Sequence, residues 1–186
     1  MQAEFQGVKG QAFTDMYGNF TGTLAEVLEM EFKSNFRRAV FISALNAVMR
    51  YLGLVSGTVH CKDDEPPRCA QELVKYLMEK YGSRRIALVG FQPRMAEALS
   101  RQFELRVTDL DEENIGQEKY GVRICGPEKT HAHLEWCDLA LVTGTSIVNG
   151  TLTQFLQKSK PVIFYGVSIS GAAKLLHLER FCPLSH

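Results

Sequence analysis

Four short segments of this chain combine glycine with hydroxyl, carboxamide or carboxylate side chains in spacings that suit the capture of a small polar ligand. The richest is Thr143-Gly144-Thr145-Ser146-Ile147-Val148-Asn149-Gly150-Thr151. Gly144 and Gly150 let a ligand approach the backbone, and Thr145, Ser146, Asn149 and Thr151 supply neutral donors and acceptors. A helix cap through Ser146 or Asn149 is the plainer reading, but a cap needs only one such residue. Tyr165-Gly166-Val167-Ser168-Ile169-Ser170-Gly171-Ala172-Ala173 repeats the pattern. There Ser170 reads equally well as the cap of a helix through Leu176. Two adjacent helix N-termini at these loops would suit a carboxylate, a phosphate or another anion.

The other two segments carry a different balance of groups. Gly90-Phe91-Gln92-Pro93 lacks the second and third glycines of the dinucleotide fingerprint, and Pro93 has no N–H to offer a pyrophosphate. NAD or FAD in the usual mode is therefore disfavoured. Asp109-Leu110-Asp111 follows, with Asp109 placed where ribose hydroxyls are commonly held. Strand-end acids also occur as plain turn residues, and Asn114 completes such a turn here. His60, Cys61, Glu65 and Cys69 lie around one loop and mix soft and hard metal donors. Their spacing lacks a Cys-x-x-Cys pair, and buried cysteine is often only a small hydrophobe, the reading preferred for Cys125 and Cys182. A Cys61 nucleophile would need an adjacent base, and His60 neighbours it in sequence alone.

These residues need a scaffold, and the apolar pattern predicts one. Ile86-Ala87-Leu88-Val89, Glu104–Thr108, Val122–Cys125, Leu139–Thr143 and Pro161–Tyr165 read as short strands alternating with helical stretches such as Arg94–Phe103. Unbroken apolar strands are buried on both faces, and alternation with helices implies right-handed crossovers and a parallel sheet. The expected fold is thus α/β, a Rossmann-like parallel sheet with helices on both faces. A small α+β segment precedes it, giving expected domains 1–82 and 83–186. In that first part Gly7, Gly10 and Gly18-Asn19 read as turns between β-prone runs such as Gln11-Ala12-Phe13-Thr14. A helix over about Asn35–Leu52 is predicted to present Phe41, Ala44, Leu45, Val48 and Leu52 on one stripe and Phe36, Ala39, Val40 and Ala47 on a neighbouring one, so that it is buried on most of its circumference. Val59 to Pro67 reads as a loop because of its two prolines, with a helix from Arg68 to Lys80.

Composition bounds the function classes. The 186 residues carry 21 basic and 21 acidic side chains, so the formal net charge is zero. Nucleic acid and anionic membrane are not expected partners, since both select for clustered cation excess. Five cysteines, an odd number, and the lack of an apolar leader or of roughly 18 consecutive apolar residues point to a cytoplasmic protein.

The Thr143 to Thr151 segment, the Gly90 and Asp109 loops, and the run from Phe164 to Pro183 resemble the putative heavy-metal chelation family, formerly a domain of unknown function. The resemblance covers about Arg85 to Pro183. It implies a Rossmann-like part preceded by a small domain resembling the N-terminal domain of enolase, with a cleft between them as the binding site. The Phe36–Leu52 helix and the Thr58–Cys69 loop are similar to the end of that domain, whose sheet is short here and which a partner chain, as in a homodimer, could complete. It also implies a metal or metal-chelate ligand, with no reaction attached.

The function expected is a binding protein or accessory enzyme for a small anionic metabolite or metal chelate, with no catalytic residue assigned. One alternative is a nucleotide- or S-adenosylmethionine-dependent transferase with Asp109 on ribose. Another is a metal-handling protein using His60, Cys61 and Cys69, with a transition metal as cofactor.

Overall fold

A computed structural model describes residues 1–82, 84–156 and 159–186; Ser83, where the expected domain boundary falls, lies outside them. Its strands make a mostly parallel sheet of seven in the order β5-β6-β4-β3-β7-β8-β9. These are β3 (Arg85–Val89), β4 (Glu104–Thr108), β5 (Glu118–Lys119), β6 (Val122–Cys125), β7 (Leu139–Thr143), β8 (Val162–Tyr165) and β9 (Arg180–Phe181). With the antiparallel edge strand β5 set aside and the others renumbered along the chain, the order is 3-2-1-4-5-6, that of the doubly wound Rossmann fold. None of the helices among the described residues is long and apolar enough to cross a membrane.

The chain forms two compact units. One comprises Met1–Cys61, Gly144–Leu156 and Phe164–His186; the other comprises Lys62–Thr143 and the return through Ile163.

In the second unit β3 lies parallel to β4, with Arg85 opposite Glu104 and Val89 opposite Thr108, and parallel to β7, with Ile86 opposite Leu139. Ile86, Ala87, Leu88, Leu139, Ala140, Leu141 and Val142 are all buried, as unbroken apolar runs require. Tyr120 and Gly121, both at positive φ, close the β5-β6 hairpin, a pairing the sequence reading did not anticipate. Helix α3 runs Glu65–Tyr81 and includes both prolines that the sequence reading placed in a loop. Pro66 and Pro67 occupy its first turn, where backbone N–H groups have no helical partner to lose.

The first unit opens with the hairpin β1 (Gln2–Phe5) and β2 (Val8–Gln11), turned by Gln6 and Gly7 at φ 50° and 77°. β2 stops at Gln11, short of the expected run through Thr14. Gly10 is not a turn residue. It sits in β2 against the backbone of α2 (Asn35–Tyr51), where a Cβ would overlap the carbonyl of Ser43 and the amide of Ala47. Helix α1 (Leu24–Leu28) begins in a capping box between Thr23 and Glu26. α6 (Ser170–Leu175) follows β8.

α2 is buried most fully along the second of the predicted stripes, where Ala39, Val40 and Ala47 lie. Ala39, Ile42, Ser43, Asn46, Ala47 and Met49 point inward, while Leu52 is 59% exposed. The cause is polar. Asn46 is fully buried, and its Nδ2 lies within donating distance of Gln11 O at 2.9 Å, Val167 O at 3.1 Å and Ser168 O at 3.2 Å. Its Oδ1 accepts from Gly171 N at 2.8 Å. Asn46→Leu keeps the volume and leaves these four backbone groups without their partner. It is expected to destabilise the protein by at least about 3 kcal/mol in urea unfolding, with little change in the denaturant slope.

A second buried polar group makes stability depend on pH. His133, on α5 (Thr130–Trp136), is 8% exposed, and its Nδ1 has no hydrogen-bond partner among the described residues. Burial pushes its pKa down, and the nearby charges of Arg106 and Lys129 add to that. The unfolded chain then binds the proton more readily than the folded one. The stability contributed is present above the ordinary histidine pKa, about 6.5, and is lost as pH falls below it. Urea midpoints measured at neutral pH and near pH 5 should differ less in His133→Leu than in the parent chain.

Candidate functional site

The strand order reverses between β3 and β7. The loop Gly144–Thr151 leaves β7 at this reversal, the kind of position where open α/β sheets commonly bind ligands. The Gly144 loop does not open an α-helix as expected. Residues Gly144–Ile147 and Leu152–Phe155 form two short 3-10 turns instead, joined through Asn149 and Gly150. Thr145 O accepts from Val148 N and Asn149 N, Ser146 O accepts from Thr151 N, and Gly150 takes φ 73°. Every one of these bonds is internal to the loop, which holds its shape without a helix behind it.

The first unit brings this loop against the Gly166 loop. A Cβ on Gly144 would come within 2.9 Å of Ile169 N and Cβ, so only glycine permits the approach. Both loops also pack around the segment Gln11-Ala12-Phe13. Ala12 is buried with Val148, Ala39 and Ile42, and Phe13 N donates to Ser168 Oγ at 2.9 Å. Arg38 closes the far side, its Nε donating to Val148 O at 2.5 Å with its guanidinium behind Gly150.

Several of the predicted ligand groups make hydrogen bonds within the protein. Ser168 Oγ accepts from Phe13 N, and Ser170 Oγ donates within reach of Val167 O at 2.7 Å and Gly57 O at 3.0 Å. Ser170 is not the helix cap; Ile169 holds that position. Thr151 Oγ1 lies 3.4 Å from Ser146 O. Tyr165 is buried in β8, and Gly166, at φ 89°, gives its carbonyl to Arg180 Nε at 3.1 Å. Two groups differ. Ser146 is 2% exposed, and its Oγ has no partner among the described residues. The Asn149 carboxamide, half-buried, makes no side-chain hydrogen bond among them.

His60 belongs to the same unit. Its backbone N donates to Gln11 Oε1 at 2.8 Å, and its ring meets Phe13 edge-on with centroids 5.4 Å apart. Nδ1 lies 2.6 Å from Cys61 O. A carbonyl only accepts, so it is Nδ1 that carries a proton in this contact. The Cys61 thiol, 3.8 Å from Nδ1, therefore has no base in that nitrogen, and the arrangement does not make a Cys-His nucleophile.

In the second unit the acidic loop is tied to its own turn. Asp109 Oδ2 accepts from Phe91 N at 2.5 Å and Oδ1 from Asp111 N at 2.8 Å. Asp111 in turn accepts from Glu113 N, and Asn114 Nδ2 lies 3.4 Å from its other oxygen. Gln92 caps α4 (Pro93–Ser100) through Met95 N, with Pro93 in the first turn. The Gly90 and Asp109 loops are thus brought together, with Asp109 acting as their clasp. Glu65 Oε2 accepts from Lys62 N at the start of α3.

No group of three or more histidine, cysteine, aspartate or glutamate side chains that could hold a metal ion occurs among the described residues. Cys61, Cys69 and Cys137 are buried, whereas Cys125 and Cys182 are only half-buried, so the hydrophobe reading suits the first three better. Burial raises the Cys137 thiol pKa against the pull of Lys160, which keeps it protonated. Lys160 itself donates to the carbonyls of Leu134, Glu135 and Cys137 and caps the C-terminal end of α5. Sequence reasoning missed Asn46, Gln11, Arg38 and Arg180, the residues that carry the loops. A single polar side chain inside the apolar stretch Ala44 to Val48 was the one signal for Asn46.

Comparison with known proteins agrees with this fold. A crystal structure from Pyrococcus horikoshii, described as a DUF364 family protein of unknown function, superposes with a TM-score of 0.61 at 21% identity, over 90% of this chain and 67% of its own. Another from Desulfitobacterium hafniense, described likewise, gives 0.60 at 17% identity, over 95% of this chain and 71% of its own. No curated protein matches. The family model for DUF364, described as putative heavy-metal chelation, matches residues 72–178. With more than half of its length matched, the chain belongs to this family.

Proposed function

We propose that this protein binds a small anionic metabolite or metal chelate in the cytoplasm, as a binding protein or accessory enzyme, through the Gly144 to Thr151 loop and its neighbour from Gly166. The observation that supports it best is Ser146. A hydroxyl buried without a partner costs about 1 to 3 kcal/mol, and a well-folded chain retains such a group when something else repays it. It sits in a glycine loop at a strand switch point, beside an Asn149 carboxamide with no side-chain bond of its own. An anion held there would be bound by backbone N–H groups, the Ser146 hydroxyl and the carboxamide, since the neighbouring guanidinium of Arg38 is already engaged with Val148, Phe32 and Asn35. The metal or chelate in this reading comes from the family description.

Ser146→Ala separates a ligand role from a structural one. Without ligand the variant should melt at the same temperature as the parent or higher, because an unsatisfied polar atom has been removed. It should also lose the thermal shift that the parent shows with a panel of carboxylates, phosphates and nickel or cobalt chelates. Asn149→Ala should lose that shift too. If both variants keep the full shift, the ligand is not held by this loop.

A further inference from the structure

We infer that the segment from Phe13 to Phe32 is a dimerisation arm, covered by the same arm of a second copy of this chain about a two-fold axis. Six of its large apolar side chains face solvent: Phe13, Met16, Tyr17, Phe20, Leu24 and Leu28, from 38% exposed at Leu24 to 89% at Tyr17. Between Phe13 and Lys33 only Val27 is buried. The arm nevertheless has a fixed path. Asp15 Oδ1 accepts from Asn35 Nδ2 at 2.7 Å, Gly18 lies against the Phe36 ring, and the Phe32 ring meets Phe41 edge-on at 4.9 Å. Helix α1 buries Val27 on one side and turns Leu24 and Leu28, one turn apart, outward. Ordering the backbone costs about 1 to 2 kcal/mol per residue, whereas burying one valine returns about 1.5 to 3 kcal/mol. The single chain therefore holds the arm in place with little apolar burial to offset the cost.

The amount and the charge of this surface identify the second copy. At about 150 to 250 Å² for an aromatic side chain, the six exposed fractions amount to on the order of 650 Å². Monomers rarely expose a contiguous apolar patch above a few hundred Å², whereas each partner in a stable complex contributes about 800 Å². The arm alone thus supplies most of one half of such an interface. Glu29 ends α1 and Arg37 lies in the first turn of α2, and both are exposed. A two-fold interface brings the same patch together twice, so a surface carrying both signs beside an apolar run meets its own complement, with Glu29 opposite Arg37 of the partner subunit. The arm is also tied at both ends to the candidate loops. Phe13 N donates to Ser168 Oγ, and Phe32 O accepts from Arg38, whose Nε holds Val148 O. Pairing of two arms therefore braces both loops, whatever the loops bind.

Sedimentation equilibrium of the full chain at about 1 to 100 µM should reach twice the chain mass at the upper end, with a melting temperature that rises with protein concentration. Tyr17→Ser and Leu28→Ser should each weaken the dimer by about tenfold or more. The double variant should stay monomeric with an unchanged circular dichroism spectrum, since both side chains lie in solvent in the single chain. Leu52→Ser and Met78→Ser, at exposed apolar positions outside the arm, should leave the dimer as it is. Glu29→Arg should weaken it, and adding Arg37→Glu should restore it. Failure of that double exchange to restore the dimer overturns the two-fold pairing. A parent chain that is monomeric throughout, a dimer that survives the Tyr17 and Leu28 double substitution, or one that Leu52→Ser abolishes while the arm variants keep it, overturns the arm as the interface.

Discussion

The first unit depends on one side chain, Asn46. Its carboxamide is the point where a helix, the end of a hairpin and the loop from Gly166 are joined, through the carbonyls of Gln11, Val167 and Ser168 and the amide of Gly171. These groups lie in chain segments more than a hundred residues apart and away from water, where each unpaired donor or acceptor would carry a desolvation penalty. Satisfying them together anchors α2 on the face that also buries Ala39, Val40 and Ala47.

The rest of the candidate site follows from that join. With Gln11 held, Ala12 packs onto Val148 and Phe13 reaches Ser168, so the two glycine loops meet around one three-residue segment. Gly144 allows Ile169 into van der Waals contact, and Gly10 allows β2 against the helix backbone. Both glycines owe their positions to close approach rather than to turns. Arg180 gathers Gly57, Gly166 and Ser185 in the same unit, so the loop backbone is braced from a second direction. Most of the hydroxyls that make these loops look like ligand sites are consumed in this bracing. Ser146 Oγ and the Asn149 carboxamide have no side-chain hydrogen bond among the described residues.

The strand-end acids show the same economy in the second unit. Asp109 is placed where a ribose-binding acid would stand, yet its two oxygens join the Phe91 and Asp111 amides. A carboxylate that clasps two loops can fix their shape whether or not it touches a ligand. The identity of a residue at a strand end is therefore weak evidence, and its hydrogen bonds are the stronger kind.

What the sequence determined by itself was the sheet. The runs Ile86 to Val89 and Leu139 to Val142 are local, unbroken and turn-bounded, and burial on both faces follows directly from such patterning. The loops were legible too, as glycine and hydroxyl residues at the ends of those strands. Only the tertiary structure decided which of their polar groups are spent and which remain. Pro66 and Pro67 could begin a helix or exclude one, Gly10 could turn the chain or admit a helix backbone, and Ser168 could face a ligand or Phe13. Composition is the same for each alternative, because the choice belongs to the partner and not to the residue. Hydrogen-bond satisfaction is a property of pairs, and these pairs are formed by segments that a linear pattern cannot bring together.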